Sequence, residues 1–387
     1  MRIVNLSNYF NHHQKSLADA MYAILGDDYH FIETTGVPEF RKELGYQEIT
    51  APYVLKYNGE TKATIDQMVM DADVVIYGEA PLSMVKARYN AGKLTFRDDE
   101  SRYKNPNRYL KWPVYTYNSH WINKGYLLCD SAYGPIDYML SGMNPKKCFR
   151  WGYFTEVKKY ESAEALMAKK RANAGQGISI LWAGRLIGWK HPEAAVYVAK
   201  RLKRDGIEFN MNIIGTGKIE EKIRKMVQKE NLNEHVQLLG PMPPEKVRKH
   251  MEESDIFLFT SDRCEGWGAV LNESMNSGCA VVSDENIGST KYLIDHQRNG
   301  IIYKSQDWKD LYVKVKWLVE HPSEMKDMCK EAYFTMLNQW NGENSAKNFI
   351  ALSEALLNGE KQTPVTEGPC SLAPLIMRRW KGRFSTF

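Results

Sequence analysis

Two glutamates, Glu265 and Glu273, stand eight positions apart in the sequence, with glycines at 266 and 268 directly after the first of them. An apolar run separates the two carboxylates. Ionised carboxylates accept hydrogen bonds from hydroxyl groups, so a pair at fixed spacing can hold two ends of one polyhydroxylated ligand. Glutamates at this spacing also occur as solvated positions on ordinary helices, and the flanking sequence decides between the two interpretations.

Short apolar runs flank this pair on both sides. Residues 255–260 and 279–283 are each too brief for a helix and contain aromatic or β-branched side chains, which predicts two buried strands. Gly278 stands where a helix between them would need a left-handed stop. The predicted unit is a strand, a glycine loop, a short helix and a strand. Glu265 then lies at the carboxyl edge of a parallel sheet, where open α/β folds bind ligands, and this favours the functional interpretation.

A helix that begins beside the glycine loop also presents unpaired N–H groups and a partial positive charge, which suit a phosphate group. Eight helical residues rise by about 12 Å, roughly the distance from the sugar to the ribose of a nucleotide sugar. One carboxylate can therefore bind hydroxyls at each end of such a ligand, while the helix tip faces the diphosphate between them.

A second motif, Ala-Gly-Arg-Leu-Ile-Gly-Trp-Lys at residues 183–190, follows a predicted strand and precedes a predicted helix that starts near Pro192. Arg185 and Lys190 can converge on an anion there, because an arginine binds a diphosphate with two parallel hydrogen bonds and a lysine adds a mobile charge. An ordinary basic loop is the alternative. Gly215, in a Gly-Thr-Gly turn after the next strand, is weak evidence by itself.

With its flanks, the glutamate pair resembles the paired-glutamate signature of retaining glycosyltransferases with the GT-B fold, in particular glycosyltransferase family 4, the glycosyl transferases group 1. Residues 183–190 are similar to the Gly-Arg…Lys diphosphate-binding element of the same family. The resemblance covers residues 177–357 well and is thin before them. It implies two Rossmann-like α/β domains that face each other across a cleft.

The resemblance also implies roles for individual residues. Arg185 and Lys190 would hold the donor diphosphate and stabilise the charge that develops on it. Glu265 would bind hydroxyls of the transferred sugar, and Glu273 those of the ribose. Glu265, Arg185 and Lys190 are thus the catalytic candidates. The full donor-binding set implied in this way is Gly184, Arg185, Lys190, Gly215, Glu265, Gly266, Trp267, Gly268, Ala269, Val270 and Glu273.

No metal or other cofactor is implied, because the family neutralises the leaving diphosphate with fixed side chains. The sequence near the donor motifs has no cluster of His, Asp or Glu at metal-ligand spacing. Asp71 and Asp73 form an Asp-x-Asp of the kind used by metal-dependent glycosyltransferases of another fold. They lie where a predicted helix gives way to a strand, and we interpret them as a solvated boundary. Asp98, Asp99 and Glu100 are predicted to lie in a charged loop.

The chain of 387 residues is long enough for two domains, each with its own core. From residue 177 onward, apolar strand runs alternate with amphipathic helical runs, which predicts a parallel sheet covered on both faces. We predict an N-terminal Rossmann-like domain over residues 1–165, a C-terminal nucleotide-sugar-binding domain over residues 166–358, and a basic, aromatic tail over residues 359–387. The segment 93–113 is polar and rich in aromatic residues, and its pattern predicts no element.

The composition, with 43% hydrophobic and 26% charged residues, is that of a globular protein. A net charge of +5 is too small to indicate nucleic-acid binding, and there is no aromatic-interleaved RNA motif. The six cysteines lack paired spacing, so we expect reduced thiols and neither a zinc site nor a disulfide framework. We expect no signal peptide and no transmembrane helix, and a cytoplasmic location with peripheral contact to the inner face of the cell membrane.

Departures from the family pattern concern mainly the acceptor side. Where many members carry glycines after the first strand, this chain has Ser-Asn-Tyr-Phe-Asn-His-His over residues 7–13. His12 and His13 are candidates for contact with the acceptor, with a plain role in helix entry as the alternative. His120 is a third candidate, with a packed core histidine as the alternative. Tyr292 stands where the family usually has a glutamate, so the identity of the donor stays open.

The tail combines basic residues with Leu, Ile, Met, Trp and Phe, a composition that suits an anionic membrane surface. The alternatives are a tail that packs back on the N-terminal domain and a disordered tail. The residues predicted to contact the membrane are Arg378, Arg379, Trp380, Lys381 and Arg383.

These observations predict a retaining, metal-independent glycosyltransferase. It would move a sugar from a nucleotide sugar, UDP-linked in preference to GDP-linked, to a cell-surface glycan or its lipid-linked saccharide precursor. Two alternatives stay open. A nucleotide-sugar epimerase would use a similar cleft but would need acid–base residues on both faces of the sugar, and the sequence offers no clear set. A non-catalytic nucleotide-sugar-binding subunit would keep the diphosphate site and lack an acceptor groove.

Overall fold

Two parallel β-sheets, one in each half of the chain, form the framework of the computed structural model, which describes residues 1–39, 48–102, 110–173 and 177–378. Both sheets have the strand order of doubly wound folds: the chain starts at a central strand, moves out to one edge, and then returns to build the other side. The predicted α/β class with two Rossmann-like domains is confirmed.

The N-terminal sheet has, within the described residues, the strand order β3-β2-β1-β4-β5-β6-β7, and all its pairings are parallel. The strands are β1 (Ile3–Ser7), β2 (Tyr29–Glu33), β3 (Val54–Lys56), β4 (Val74–Tyr77), β5 (Thr95–Asp99), β6 (Tyr126–Cys129) and β7 (Cys148–Arg150). The helices described among them are α1 (His12–Leu25), α2 (Lys62–Asp71), α3 (Lys86–Asn90), α4 (Trp112–Ile122) and α5 (Gly134–Met139).

The C-terminal sheet has the order β10-β9-β8-β11-β12-β13, again with parallel pairings. Its strands are β8 (Ile178–Ala183), β9 (Phe209–Ile214), β10 (Val236–Gly240), β11 (Ile256–Phe259), β12 (Ala280–Asp284) and β13 (Ile301–Tyr303). The helices of this half are α6 (Ala163–Asn173), α7 (Glu193–Arg204), α8 (Glu220–Lys229), α9 (Pro244–Glu253), α10 (Val270–Asn276), α11 (Thr290–Leu293), α12 (Trp308–Glu320), α13 (Pro322–Asn338) and α14 (Gly342–Leu357).

Helix α7 illustrates why the helices and strands of the second half could be predicted from the sequence. Its buried residues recur at helical spacing, and basic side chains fill its last turn, where they suit the negative end of the helix dipole. The apolar stripe covers the sheet, and α7 begins directly after the Arg185–Lys190 motif. The buried residues are Glu193, Ala194, Ala195, Val196, Val198, Ala199 and Leu202.

Two helices depart from the predicted division at residue 165. Helix α6 starts before that boundary, and its Leu166 and Met167 belong to the core of the second sheet. Helix α14, assigned from the sequence to the second domain, packs against α1 of the first. Its Phe349 ring lies 5.0 Å from the ring of Phe96, centroid to centroid. The chain therefore crosses between the two sheets before α6 and again before α14, which ties the domains together.

The predicted charged loop around Asp98 is wrong in the structure. Asp98 and Asp99 form the end of β5, and Glu100 follows directly after it. Arg97 offsets the negative charge at this strand end, because its guanidinium lies 3.3 Å from the Asp99 carboxylate. Burial raises the pKa of Asp99, but Arg97 and other partners outweigh it and hold that pKa below the usual value. An acidic strand end thus faces the cleft from the N-terminal domain.

The C-terminal segment packs back on the N-terminal domain. Residues 370–373 run antiparallel to β7: the Cys370 N–H donates to the Arg150 carbonyl at 2.8 Å, and the Ala373 N–H donates to the Cys148 carbonyl at 2.9 Å. The Arg378 guanidinium donates to the Ser101 hydroxyl at 2.8 Å. This placement differs from the predicted membrane contact of Arg378. The other predicted membrane residues, Arg379, Trp380, Lys381 and Arg383, lie outside the described residues. Within the described ranges, no helix is long and apolar enough to span a bilayer.

Candidate active site

The two sequence motifs meet at one sheet edge. Strands β8 and β11 are hydrogen-bonded neighbours at the centre of the second sheet, where the strand order changes direction. The chain leaves β8 into residues 184–190 and leaves β11 into residues 260–268, so both loops lie at the carboxyl ends of adjacent parallel strands. A crevice at such a switch point is where ligands of doubly wound sheets bind. The fold therefore places Arg185, Lys190 and Glu265 around one crevice.

Lys190 and Glu265 form an ion pair at the mouth of this crevice. The Lys190 Nζ lies 2.6 Å from the Glu265 Oε2, and the two side chains are 13% and 12% exposed. The Ser261 hydroxyl donates to the same carboxylate oxygen at 2.9 Å. A lysine ammonium has three N–H donors, so Lys190 can keep this contact and still donate to an anion. The pair thus presents a cation and a hydroxyl acceptor side by side.

Arg185 and Lys190 flank the indole of Trp189. The Arg185 guanidinium lies 5.6 Å and the Lys190 ammonium 4.9 Å from the indole centroids, distances typical of cation–π contacts. Arg185 is exposed at the crevice. Trp189 was not predicted as a site residue. Its ring contacts both cations, and the only indication of this in the sequence was the position of Trp189 between them.

Two glycines allow the motif loops to approach closely. Gly215 has φ +130°, and a Cβ there would overlap the Gly184 carbonyl oxygen. Beside it, a Cβ on Gly184 would contact the Lys190 side chain at 3.3 Å. Since only glycine combines that backbone angle with that proximity, the Gly-Thr-Gly turn is a close-packing element of the donor edge. This contact supports a role for Gly215 at the donor edge more strongly than the sequence pattern did.

A histidine that the sequence analysis missed links the two loops. The His191 Nε2 lies 3.1 Å from the Asp262 Oδ2, and this hydrogen bond raises the pKa of His191 above its ordinary value, against the effect of burial. Asp262 also accepts the Cys264 N–H at 2.8 Å through its other oxygen. His191 directly follows Lys190 and Asp262 precedes Glu265 by three positions, so this contact fixes the spacing between the two proposed ligand-binding side chains.

Glu273 lies in the first turn of α10, half-buried. Burial raises the pKa of its carboxyl group, and the charge of Arg248 opposes that rise. Within the described parts of the chain, no side chain or backbone N–H donates a hydrogen bond to this carboxylate. Glu273 is therefore available to accept hydroxyl groups of a ligand at the far end of the crevice.

The glycine loop contains one side chain that cannot face a ligand. Trp267 is 1% exposed, and its indole N–H donates to the Asn272 side chain at 2.9 Å. The indole fills the space next to Gly152, where any Cβ would collide with it, and packs near Tyr153. Only the backbone of Trp267 is thus available to the donor, and its side chain joins the two domains. Around it, Gly268 has φ +85° and Ala269 leads into α10, which begins at Val270.

The N-terminal domain places Glu100 against this loop. A Cβ on Gly266 would collide with the Glu100 carboxylate, so the two come within van der Waals contact. The Tyr153 hydroxyl donates to Glu100 at 2.7 Å, and the His13 ring stacks on Tyr153 at 5.8 Å. The predicted acceptor candidate His13 is therefore connected to the donor loop through Tyr153 and Glu100.

The other two histidines differ in position. His12 begins α1, and its ring lies 3.9 Å from that of His13. His120 is exposed near the end of α4, so the alternative of a packed core histidine is wrong. Because α4 runs from the carboxyl end of β5 toward the amino end of β6, its last turn lies at the sheet edge opposite the crevice. The structure therefore does not bring His120 to the site.

Two acids lie close together at the ends of β5 and β6: Asp98 is half-buried and Asp130 is buried. Burial raises the pKa of Asp98 to about 6 and that of Asp130 well above its ordinary value, and Asp98 adds to the rise of Asp130 by its charge. Two carboxyl groups this close share a proton more easily than they both ionise. Among the described residues, no group of three or more His, Cys, Asp or Glu is arranged to hold a metal ion.

Two cavities lie near the sheet edges. One of about 410 Å³ lies at the carboxyl edge of the N-terminal sheet; it is lined by Thr34, Thr35, Tyr57, Glu79, Ala80, Pro81, Ser83, Met84 and Arg97. Another of about 540 Å³ lies beside β13, and Tyr303, Lys304 and Met377 contribute to its walls. The second cavity shares no residue with the predicted donor set.

Comparison with known proteins identifies a family model and several relatives. Residues 164–334 match the family model described as glycosyl transferases group 1. The amylovoran biosynthesis glycosyltransferase AmsK of Erwinia amylovora is 32% identical over 142 residues, which cover 35% of this chain and 35% of that protein. The N-acetylgalactosamine-N,N'-diacetylbacillosaminyl-diphospho-undecaprenol 4-alpha-N-acetylgalactosaminyltransferase of Campylobacter jejuni is 27% identical over 154 residues, 40% of this chain and 39% of that protein. The chain thus matches well under half the length of these curated relatives.

Solved structures extend the likeness to both domains. Alr3699/HepE of Anabaena, whose structure is described as a complex with UDP, superposes with a TM-score of 0.68 at 13% identity, over 92% of this chain and 100% of that one. At this level of identity the likeness concerns the fold. It shows that the arrangement of two Rossmann-like domains around a crevice recurs in a protein of known structure.

Proposed function

We propose that the protein is a retaining, metal-independent glycosyltransferase, and the match of residues 164–334 to the family model of glycosyl transferases group 1 supports this proposal. Its donor is a UDP-linked sugar, and its acceptor is a cell-surface glycan or a lipid-linked saccharide precursor. The observation that carries the proposal is the Lys190–Glu265 ion pair, because it sets a cation for the leaving phosphate beside a carboxylate for the sugar.

The donor lies along the edge of the second sheet in this proposal. Arg185 and Lys190 bind the diphosphate and neutralise the charge that grows on it as the glycosidic bond breaks. Glu265 accepts hydroxyl hydrogen bonds from the sugar, and Glu273, whose carboxylate has no donor among the described residues, accepts those of the ribose. Support for UDP comes from the structural likeness to HepE, which is described as bound to UDP.

The reaction retains the anomeric configuration. The acceptor hydroxyl attacks the anomeric carbon on the face from which the diphosphate departs, the bond to the phosphate oxygen breaks, and the hydroxyl proton passes to that oxygen. In this proposal no protein side chain acts as a nucleophile; Lys190 and Ser261 hold Glu265 through its Oε2 atom, and Glu265 binds the sugar by hydrogen bonds. Fixed cations take the place that a metal ion holds in other transferases, so no metal enters the step.

The acceptor approaches from the N-terminal domain. The cavity of about 410 Å³ at the carboxyl edge of the first sheet offers hydroxyl, carboxylate and guanidinium groups, which suit a saccharide. Glu100 and His13 lie between the domains, at the donor loop. The Campylobacter jejuni relative is named for a saccharide on diphospho-undecaprenol, which supports a lipid-linked acceptor as one candidate.

The test is an incubation of the purified protein with a panel of radiolabelled nucleotide sugars in excess EDTA, with and without lipid-linked acceptors. We expect slow hydrolysis of one UDP-sugar to free sugar and UDP, and faster transfer when a suitable acceptor is present. Isomerised donor without acceptor would identify an epimerase, and nucleotide binding without turnover would identify a binding subunit. Activity that disappears in EDTA and returns with Mn²⁺ would contradict metal independence.

A further inference from the structure

The cavity of about 540 Å³ beside β13 lies where the two domains and the C-terminal segment meet. Most of its wall comes from the second domain, from α11, β13 and α12. Tyr133 contributes to the wall from the N-terminal domain, and Ile376 and Met377 contribute from the C-terminal segment. We call it the β13 cavity. A ligand in it would contact all three parts of the chain.

The wall formed by the C-terminal segment is held by Arg378. Its guanidinium donates to the Asn286 carbonyl at 3.3 Å and to the Ser101 hydroxyl at 2.8 Å. It also lies 4.3 Å from the centroid of the Tyr133 ring. The Tyr133 hydroxyl in turn donates to the Glu285 carbonyl. These contacts connect the two domains at the cavity, so its shape depends on both of them.

Three lysines on this wall have ammonium groups without a partner. Among the described residues, no carboxylate or carbonyl oxygen forms an ion pair or a hydrogen bond with them. Each ammonium has three N–H donors, so the group has a large unused capacity to bind an anion. The three residues are Lys291, Lys304 and Lys314.

A histidine on the same wall indicates that two of these lysines lie near each other. Burial lowers the pKa of His296, and the charges of Lys314 and Lys291 lower it further, so its ring is neutral at neutral pH. The His296 Nδ1 accepts the Ile302 N–H at 3.0 Å, which leaves the proton of the neutral ring on Nε2. His296 therefore adds a neutral donor beside two cations.

The remaining polar groups of the wall suit hydroxyl groups better than a second anion. Glu285 accepts the Ser305 N–H at 3.2 Å, and Asp310 accepts the Lys304 N–H at 2.8 Å. The second oxygen of each carboxylate can accept a hydrogen bond from a hydroxyl group. The ring of Tyr133 supplies an apolar surface against which the face of a sugar can pack. The wall thus combines cations, hydroxyl acceptors and an aromatic ring.

We propose that the β13 cavity binds a phosphorylated saccharide. Lys291 and Lys314 hold the phosphate group as point charges. Glu285 and Asp310 accept hydrogen bonds from the sugar hydroxyls. A volume of about 540 Å³ lies within the range of small-molecule sites. The cavity shares no residue with the predicted donor set, so this is a second site and does not depend on the proposed function.

Isothermal titration calorimetry tests this site with the full-length protein. The probes are glucose 1-phosphate, glucose 6-phosphate and N-acetylglucosamine 1-phosphate at millimolar concentration, with glucose and inorganic phosphate for comparison. We expect at least one sugar phosphate to bind more tightly than either comparison compound, without competition from UDP. Lys291→Ala and Lys314→Ala should each weaken that binding about tenfold or more, because each removes a charge-assisted hydrogen bond. Lys309→Ala is the matched control, because Lys309 lies on the same helix as Lys314 and outside the cavity wall.

Unchanged melting temperature and unchanged UDP affinity show that the variants are folded. The proposal is overturned if no sugar phosphate binds, or if the affinity is the same in wild type, Lys291→Ala and Lys314→Ala. An equal loss in Lys309→Ala would show a non-specific effect of charge and overturn it as well. Competition by UDP would place the sugar phosphate in the donor crevice, which also contradicts the proposal. Inorganic phosphate that binds as tightly as every sugar phosphate would refute the saccharide as ligand. None of these measurements depends on turnover, so the proposed function is tested separately.

Discussion

Replacement of Lys190 by alanine is the most informative perturbation of the proposed mechanism. The ammonium lies 2.6 Å from Glu265 and is 13% exposed, so water cannot replace it fully. Removal of one fixed donor aimed at developing charge lowers kcat by about 10²–10³-fold, or roughly 2.7–4 kcal/mol of transition-state stabilisation. We expect Lys190→Ala to lose kcat by about that factor.

The effect on stability is smaller and has a matched control. Loss of one partner from a fully buried pair costs about 3–5 kcal/mol, and loss from an exposed pair costs about 0–1 kcal/mol. The Lys190–Glu265 pair lies between these cases, so we expect a loss of about 1–3 kcal/mol in the free energy of unfolding. Lys200 pairs with Glu230 at 2.9 Å on the outside of the same domain. Lys200→Ala should change stability by less than about 1 kcal/mol and leave kcat unaltered.

Steady-state rates with the UDP-sugar that proves to be the substrate, together with calorimetry of UDP binding, separate the effects. Because Lys190 and Glu265 act as one unit, the double variant Lys190→Ala/Glu265→Gln should lose little more activity than the more damaging single variant. A kcat for Lys190→Ala within about threefold of wild type would refute the reasoning from electrostatic stabilisation. Equal losses in Lys190→Ala and Lys200→Ala would show that folding, not charge at the site, is what the assay reports.

Three further predictions follow from the same geometry. Glu273→Gln should weaken UDP binding about tenfold, because the amide replaces a charged hydrogen-bond acceptor for the ribose. Its free energy of unfolding should stay within about 1 kcal/mol of the wild-type value. Unchanged UDP affinity in calorimetry would exclude the ribose role. Gly215→Ala should lower the free energy of unfolding in urea by about 2–4 kcal/mol, because the residue has φ +130° and its Cβ would overlap the Gly184 carbonyl. Gly188→Ala is the control, because a Cβ there meets nothing. Equal losses of stability in the two variants would contradict the prediction. Asp262 raises the pKa of His191 in the folded protein, so wild type should have a larger free energy of unfolding than His191→Gln. This difference should be full below the unfolded pKa of about 6.5 and decline as the pH rises through the folded pKa. A difference that grows over that pH range would contradict a raised pKa for His191.

The second domain was predictable because its local pattern and its packing agree. Strands such as β11 and β12 are buried on both faces of a parallel sheet, so they appear in the sequence as continuous apolar runs. The helices between them show one apolar stripe each. Gly278, predicted to stop the helix after Glu273, has φ +65° and follows α10 as expected. The local hydrophobic pattern was therefore sufficient to predict that the two motifs lie at one sheet edge.

The parts that the sequence did not reveal depend on contacts between distant residues. Strand β5 carries Arg97 and Asp99, and its charges are acceptable only because they neutralise each other in the fold. Glu100 meets the donor loop across the domain interface, and no local pattern encodes that contact. The apolar face of α14 predicts that the helix packs, but it does not specify on which domain. Trp267 was expected to contact the donor, but its side chain packs between the domains against Gly152 and near Tyr153.

A crystal structure of the protein with UDP tests the central claim most directly. We expect the diphosphate within hydrogen-bond distance of Lys190 and Arg185, the ribose hydroxyls on Glu273, and the Lys190–Glu265 contact either kept or exchanged for the phosphate. UDP bound elsewhere, for example in the cavity of about 540 Å³ beside β13, with the crevice between β8 and β11 empty, would contradict the assignment of the donor site.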